Sequence, residues 1–383
     1  VRSTSGPARP SRTVVSVSAA AAIALLGAAA SAAGATKAAG PNFLGSLGAP
    51  RQLGSTVPAN GDLNPYGIAV VPGTAGRLTK GDVLVSNFNA KSNVQGTGTT
   101  IVELSPSGAR TTFADLTSLR AKRSCPGGIG LTTALVALPG GWVVVGSLPS
   151  GPGGSLPAAN PAGCLIVLNS AGTPVETWSS PNINGPWDMT AAKTASGVAL
   201  FLSNVLSRPA GTKGTPPSGQ CTVVRIDVAL AGASAPQMTG STVIGSGYVW
   251  QANKAALVQG PTGVALGRNG TLYVAETLTD KVSAIPEALT RTTAVDASSS
   301  TLSSEGSLRG PLGMTLAPDG DVVAVNGNNG DAVEITPAGR QVATVTLAHN
   351  GAGDLFGLTV APGGKELLFV NDGTNALDVA SVR

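Results

Sequence analysis

The sequence predicts an all-β fold: a six-bladed β-propeller of four-stranded antiparallel blades, with the ring closed by an N-terminal strand. Three observations carry this expectation. A Gly-punctuated pattern recurs six times along the chain. Each copy holds short Val-, Leu- and Ile-rich runs divided by turn sequences. The last copy is one strand short, and a spare strand-like segment precedes the first. Composition agrees. The 383 residues include 52 Gly and 27 Pro, with 42% hydrophobic, 11% charged and 3% aromatic residues. A disordered chain has the reverse balance of charge and hydrophobicity. Three Cys are too few for a disulfide-stapled miniature, and no Gly-x-y period supports a collagen.

The N-terminus comes first in the chain and reads as a signal peptide over residues 1–35. Arg2, Arg9 and Arg12 form a positive start, Val14 to Ala30 is an apolar Ala-rich run, and Ala30-Ser31-Ala32 and Ala33-Gly34-Ala35 offer cleavage sites. The apolar run is short for a membrane span, so no membrane association is expected after its removal. The mature protein is expected to be secreted or to reside in the cell envelope. Loss of the three arginines from 24 basic residues leaves 21 against 20 acidic, a net charge of +1. The pI of about 9.1 is therefore mostly a property of the leader. The densest basic cluster beyond it is Arg120-Ala121-Lys122-Arg123, which reads as a solvated loop. A nucleic-acid partner is not expected, because the folded domain lacks a basic stripe.

Residues 36–60 form an N-terminal segment whose Gln52–Val57 stretch is the spare strand. The propeller occupies residues 61–383. Its clearest repeats start at Pro65-Tyr66-Gly67-Ile68-Ala69-Val70, Pro261-Thr262-Gly263-Val264-Ala265-Leu266, Pro311-Leu312-Gly313-Met314-Thr315-Leu316 and Phe356-Gly357-Leu358-Thr359-Val360. Two degenerate copies lie near Thr133 and at Pro186-Trp187-Asp188-Met189. Pro-Asp-Gly, Gly-Gly or Asn-Gly breaks the apolar runs, as hairpins require. A third strand follows in each unit, as at Thr100–Leu104, Cys164–Leu168, Cys221–Val228 and Lys281–Ile285. A fourth usually follows, at Ala109–Ala114, Thr173–Trp178, Gln237–Ile244, Arg291–Val295 and Gln341–Leu347. Four strands in units of 44 to 75 residues describe propeller blades. The sixth unit runs out after its third strand, and Gln52–Val57 is expected to pair there, removing two open sheet edges.

The Pro-x-Gly-φ-Ala-φ…Gly-x-φ-φ-Val pattern resembles the NHL-repeat family of six-bladed propellers over most of residues 61–383, with more distant similarity to gluconolactonase- and regucalcin-like propellers. The resemblance implies the fold. It does not choose among sensor domains, scaffolds, lactonases and lyases.

By that family's geometry, the ligand face is built from the loops leading into the innermost strands and the loops between second and third strands. Here the latter are 88–99, 148–163 and 205–220, long and rich in Gly, Pro, Ser and Asn. Tyr66, Trp187 and Phe356 share one repeated position. They either fill the core or line an aromatic mouth for a ligand. Asn87, Ser147, Asn204, Glu276, Asn326 and Asn371 share another, at the end of the second strand. That ring reads as structural, each side chain accepting from the loop backbone that follows, with the longer, charged Glu276 as the candidate exception.

In the lactonase-like branch, resemblance implies a divalent cation held by carboxylates and amides near the start of the innermost strands, a set suited to hard cations. This chain carries Tyr66, Thr262, Leu312 and Phe356 there, with Trp187 preceding Asp188. No metal and no other cofactor is expected. Resemblance to virginiamycin B lyase would require a His base, and the chain has one His, His349. One His and three scattered Cys give no zinc spacing. No catalytic residue is assigned. Tyr66, Trp187, Asp188, Glu276, His349 and Phe356 are the candidate ligand-binding residues. Cys125 and Cys164 are the expected disulfide, with Cys221 free or paired instead. The function expected is a non-catalytic binding or scaffold module, monomeric, taking an unknown protein, glycan or small molecule on its long-loop face. The alternative is a divergent lactonase- or lyase-like propeller enzyme.

Overall fold

The computed structural model describes residues 42–122, 125–155, 162–206, 218–232, 234–253, 256–349 and 351–383, with the side chains of 120–122 and 218–220 excepted. The expected signal peptide at 1–35 lies outside the described residues. So do part of loop 148–163, most of loop 205–220 and the side chains of the Arg120–Arg123 cluster.

Six antiparallel sheets form the ring. Blade 1 consists of Leu63–Val70, Val83–Asn89, Thr100–Leu104 and Arg110–Asp115, from axis to rim. Blade 2 consists of Leu135–Leu138, Trp142–Ser147, Cys164–Leu168 and Pro174–Trp178. Blade 3 is the largest, with Pro186–Lys193, Gly197–Asn204, Ser218–Ala229 and the long outer strand Gln237–Asn253. Blade 4 has Pro261–Leu266, Leu272–Glu276, Lys281–Ile285 and Thr301–Ser304. Blade 5 has Pro311–Leu316, Val322–Asn326, Asp331–Ile335 and Gln341–Thr346.

Blade 6 is completed from the other end of the chain. Its three C-terminal strands are Leu355–Val360, Glu366–Asn371 and Ala376–Ser381, and the fourth is Arg51–Ser55. Arg51 pairs with Val379 and Ser55 with Ala376. The spare strand thus closes the ring as the repeat count requires. The lead-in to it is tied down separately. In the short helix Phe43–Ser46, the Phe43 and Leu44 N–H groups donate to the two carboxylate oxygens of Glu334 in blade 5, at 3.0 and 2.7 Å.

One outer strand departs from expectation. In blade 4 the rim strand is Thr301–Ser304, not Arg291–Val295. Val295–Asp296 instead runs parallel to Gly245 and Ser246, on the outer strand of blade 3. Arg225 of blade 3 explains the capture, because its guanidinium donates to the Ala288 and Arg291 carbonyls, at 3.3 and 2.8 Å, and pulls segment 286–296 across the inter-blade groove.

Adjacent blades meet backbone to backbone at the axis. A Cβ added at Gly313 would collide with the Phe356 carbonyl of the next blade, and one at Gly357 with the Tyr66 carbonyl of blade 1. The repeated glycine is therefore a close-approach requirement between neighbouring blades. In five blades a bulge sits at this same place, between Pro65 and Ile68, Pro186 and Met189, Pro261 and Val264, Pro311 and Met314, and Leu355 and Leu358. A bulge re-aims the side chains beside it, here at the mouth of the axial channel.

Candidate functional site

The bulge fixes what faces the axis. Counting from the paired residues, Tyr66, Thr133, Trp187, Thr262, Leu312 and Phe356 occupy equivalent places in the six blades. Three of the six are aromatic, and the fold brings them together. The Tyr66 and Trp187 rings meet edge to face with centroids 5.6 Å apart, and Tyr66 and Phe356 lie 5.3 Å apart. The Trp187 indole N–H donates to the Tyr66 hydroxyl at 2.7 Å. Both residues are almost wholly buried, at 2% and 1% exposure. Phe88, which the sequence analysis did not single out, joins from the end of the second strand of blade 1, 6.4 Å from Phe356.

These rings divide the axial channel in two. Below them lies a cavity of about 390 Å³, lined by the innermost strands of all six blades and by Tyr66 and Asp188. Above them, at the long-loop end, lies a chamber of about 320 Å³. Phe88, Trp187, Phe356 and Leu312 form its apolar wall. Asn64, Gln95, Asn253, Gln259, Thr277, Asn328 and Asp372 supply its polar groups.

Asp188 stands where the other blades carry Gly67, Ala134, Gly263, Gly313 and Gly357. Its carboxylate bridges two blades, accepting from its neighbour Met189 N–H at 2.8 Å and from Val264 N–H of blade 4 at 3.1 Å. Burial pushes its pKa up to about 7, against the pull of those two N–H groups. Burial and the adjacent Asp188 charge together raise the Tyr66 phenol well above its ordinary range. Tyr66 is therefore a neutral hydroxyl, accepting from Trp187.

Asp372 is the charged member of the upper chamber among its described lining residues. Burial, then the nearby Asp354 carboxylate, brings its pKa to about 7. The Asn64 amide nitrogen faces it as a donor, in the orientation in which the amide oxygen accepts from Asn89 at 2.9 Å. Asn64 itself sits at φ +60°, in left-handed backbone held by its N–H bond to the Asn375 side chain at 2.8 Å. Asp354, just before the innermost strand of blade 6, is 8% exposed, and its Oδ2 has no hydrogen-bond partner.

The remaining candidates fall elsewhere. Glu276 is buried in blade 4, where Lys281 pairs with it at 3.1 Å and the Ser283 hydroxyl donates to it. It lines neither axial cavity. His349 is exposed on a separate shallow surface beside Arg51 and Gln52. Cys125 and Cys164 form a disulfide with Cα atoms 5.4 Å apart, and Cys221 is buried outside it.

The polar ring at the second-strand ends differs from the expected Asx turns in its partners. Ser147 accepts from Gly130 N–H at 3.0 Å, Asn204 from Asn184 and Gly185 N–H at 3.1 and 3.2 Å, and Asn326 from Arg309 N–H at 3.0 Å. Those donors lie 17 to 20 residues upstream, in the loops leading into the innermost strands. Asn371 accepts from the backbone of the loop that follows, at Thr374 N–H, and Glu276 from the Thr279 hydroxyl of its own following loop, both at 3.3 Å. The lead-in loop descends beside the second-strand end, so its N–H groups are the nearer donors.

No known family profile matches the chain, and no curated protein matches it in sequence. Solved structures do match in fold. A gluconolactonase from Xanthomonas campestris superposes with TM-score 0.52 at 14% identity, over 87% of this chain and 89% of that one. A putative gluconolactonase gives 0.51 at 16% identity, over 88% and 92%. A regucalcin described as calcium-binding, from Agrobacterium tumefaciens, gives 0.51 at 13% identity, over 86% and 93%. At these identities the likeness is one of fold: this chain is a six-bladed β-propeller, as those proteins are.

Proposed function

We propose that the chain is an exported, monomeric binding module that takes a small ligand in the upper axial chamber. One observation carries the reading: of the six axial positions that would hold oxygen ligands in a lactonase-like propeller, four carry Tyr66, Trp187, Leu312 and Phe356, and the last three wall the upper chamber instead. A hard cation needs six or more oxygens, and the axial ring offers three, the Tyr66 phenol accepting from Trp187 and the hydroxyls of Thr133 and Thr262, which bond the Pro186 carbonyl and Thr277 with Pro311. A largely apolar pocket with a few convergent polar groups is the usual form of a small-molecule site. The Cys125–Cys164 disulfide supports an oxidising compartment, in line with a cleaved leader.

The test is a thermal-shift and calorimetric screen of small metabolites on the purified protein. A ligand whose binding is lost in Trp187→Ala and kept in His349→Ala supports the chamber. Ligands that bind equally well to both variants overturn it.

A second reading rests on Asp188. A carboxyl titrating near 7 inside the channel has the poise of a general base, as a lactonase- or lyase-like enzyme would use. Lactone turnover with added Ca, Mn or Zn that disappears in Asp188→Asn would favour it over the binding module.

A further inference from the structure

We infer that the upper chamber selects a small organic cation, a protonated amine carried on an apolar or aromatic body. This rests on the reading of that chamber as the binding site and names its ligand class.

Three features converge on this chemistry. The wall is made by the rings of Phe88, Trp187 and Phe356, and ring faces attract a cation through their quadrupole while covering its apolar body. Asp372 supplies a carboxylate to the same chamber. Asp354, just behind it, adds a second carboxylate with an oxygen that is buried and unpartnered. Two neighbouring carboxylates in a desolvated site repel each other unless one takes up a proton or a positive charge joins them, and once both are ionised a cation is the remaining partner. The ion pairs among the described residues join Arg225 to Asp227, Lys281 to Glu276 and Arg291 to Glu287, and none involves Asp354 or Asp372. The described lining contains no Lys, Arg or His. A ligand that brings an ammonium group completes the site, and an anion meets the repulsion of the carboxylates. About 320 Å³ admits a single-ring amine.

The probes are benzylamine, benzyl alcohol and benzoate, titrated calorimetrically into the full chain between pH 5.5 and 8.5. Benzylamine is expected to bind at least tenfold more tightly than benzyl alcohol, and benzoate not at all. Its affinity should rise with pH through about 7, because Asp372 ionises there while an alkylamine stays protonated. Asp372→Asn should weaken benzylamine at least tenfold and leave benzyl alcohol unchanged. Trp187→Ala should weaken both.

Equal binding of the amine and the alcohol, indifferent to Asp372→Asn but lost in Trp187→Ala, overturns the cation assignment and leaves the chamber standing. Binding unaffected by either substitution overturns both, as does no binding of any probe at millimolar concentration. Calcium that displaces benzylamine and binds more tightly itself makes this an inorganic cation site and overturns the amine. Lys254 lies outside the described residues, between Asn253 and Ala256 of the chamber wall. Benzylamine binding that appears only in Lys254→Ala shows the chain's own lysine filling the site, and also overturns the proposal.

Discussion

Two rings of repeated residues run around this propeller, one turn of the chain apart. The strand-end ring of Asn87, Ser147, Asn204, Glu276, Asn326 and Asn371 is nearly uniform in chemistry. The axial ring of Tyr66, Thr133, Trp187, Thr262, Leu312 and Phe356 is not. Four of the first ring's members, Asn87, Ser147, Asn204 and Asn326, hydrogen-bond the segments that deliver the innermost strands. Asn204 illustrates the completeness of this, accepting from Asn184 and Gly185 and donating to Asn182 at 2.9 Å. The second ring borders empty space, and its members are free to diverge as long as their neighbours still fit. Regular repetition of a polar residue therefore marks a structural duty in this fold. Irregularity at an axial position marks where binding chemistry can be placed.

This contrast can be broken by substitution. The largest effect is expected from deleting residues 42–55, since both rings need all six blades. Blade 6 would be left with an open edge, and loss of the cooperative unfolding transition in urea is the expected result. Retained cooperativity would show that the closing strand is dispensable. Asn204→Ala comes next. It strands one buried and one half-buried N–H group and a half-buried carbonyl, and should cost about 3 kcal/mol in chemical denaturation while leaving chamber binding unchanged. A cost under about 1 kcal/mol would deny the strand-end ring its structural role.

Asp188→Asn sharpens the exception in the axial layer. The Asp188 pKa is raised from 3.8 to about 7 on folding. The folded state therefore holds this proton more tightly than the unfolded chain does. The associated stability is fully present below pH 3.8 and is lost as pH rises through about 7. Between pH 5 and pH 8 the parent should lose on the order of 2 kcal/mol more than the variant, after discounting for water in the lower cavity. Parallel stability curves would place the titration elsewhere. The smallest effect belongs to Trp187→Phe. It keeps the ring but removes the N–H bond to Tyr66, and should cost about 1 kcal/mol by calorimetry.

Much of the fold was legible because a repeat exposes its own register. Six copies gave the blades, and the missing strand after Ala376–Ser381 pointed to the segment that became Arg51–Ser55. Alignment also placed Tyr66, Trp187 and Phe356 at one level, which sufficed to bring them together. The outer strand of blade 4 was not legible, since its position depends on Arg225 reaching over from blade 3. Phe88 was missed although it directly follows Asn87, because no other blade carries an aromatic there. Asp354 and Asp372 flank the sixth repeat without belonging to its pattern. Their meeting arises from two loops that only the folded blade brings side by side, as the Asp372 N–H bond to the Asp354 carbonyl at 2.8 Å records.

The pairing of Arg51 with Val379 has a consequence in time as well as in space. During synthesis the closing strand emerges before any blade, and its partner strand only after the other five blades. Five blades can form by local hairpins in the order of translation. The sixth joins segments more than 300 residues apart, the slowest kind of contact to find. Until then the strand 51–55 waits with its backbone unpaired, and the nascent ring has an open end at each side. Closure is thus expected as the late, rate-limiting step of folding, and the interval before it as the period of greatest exposure to mispairing between chains.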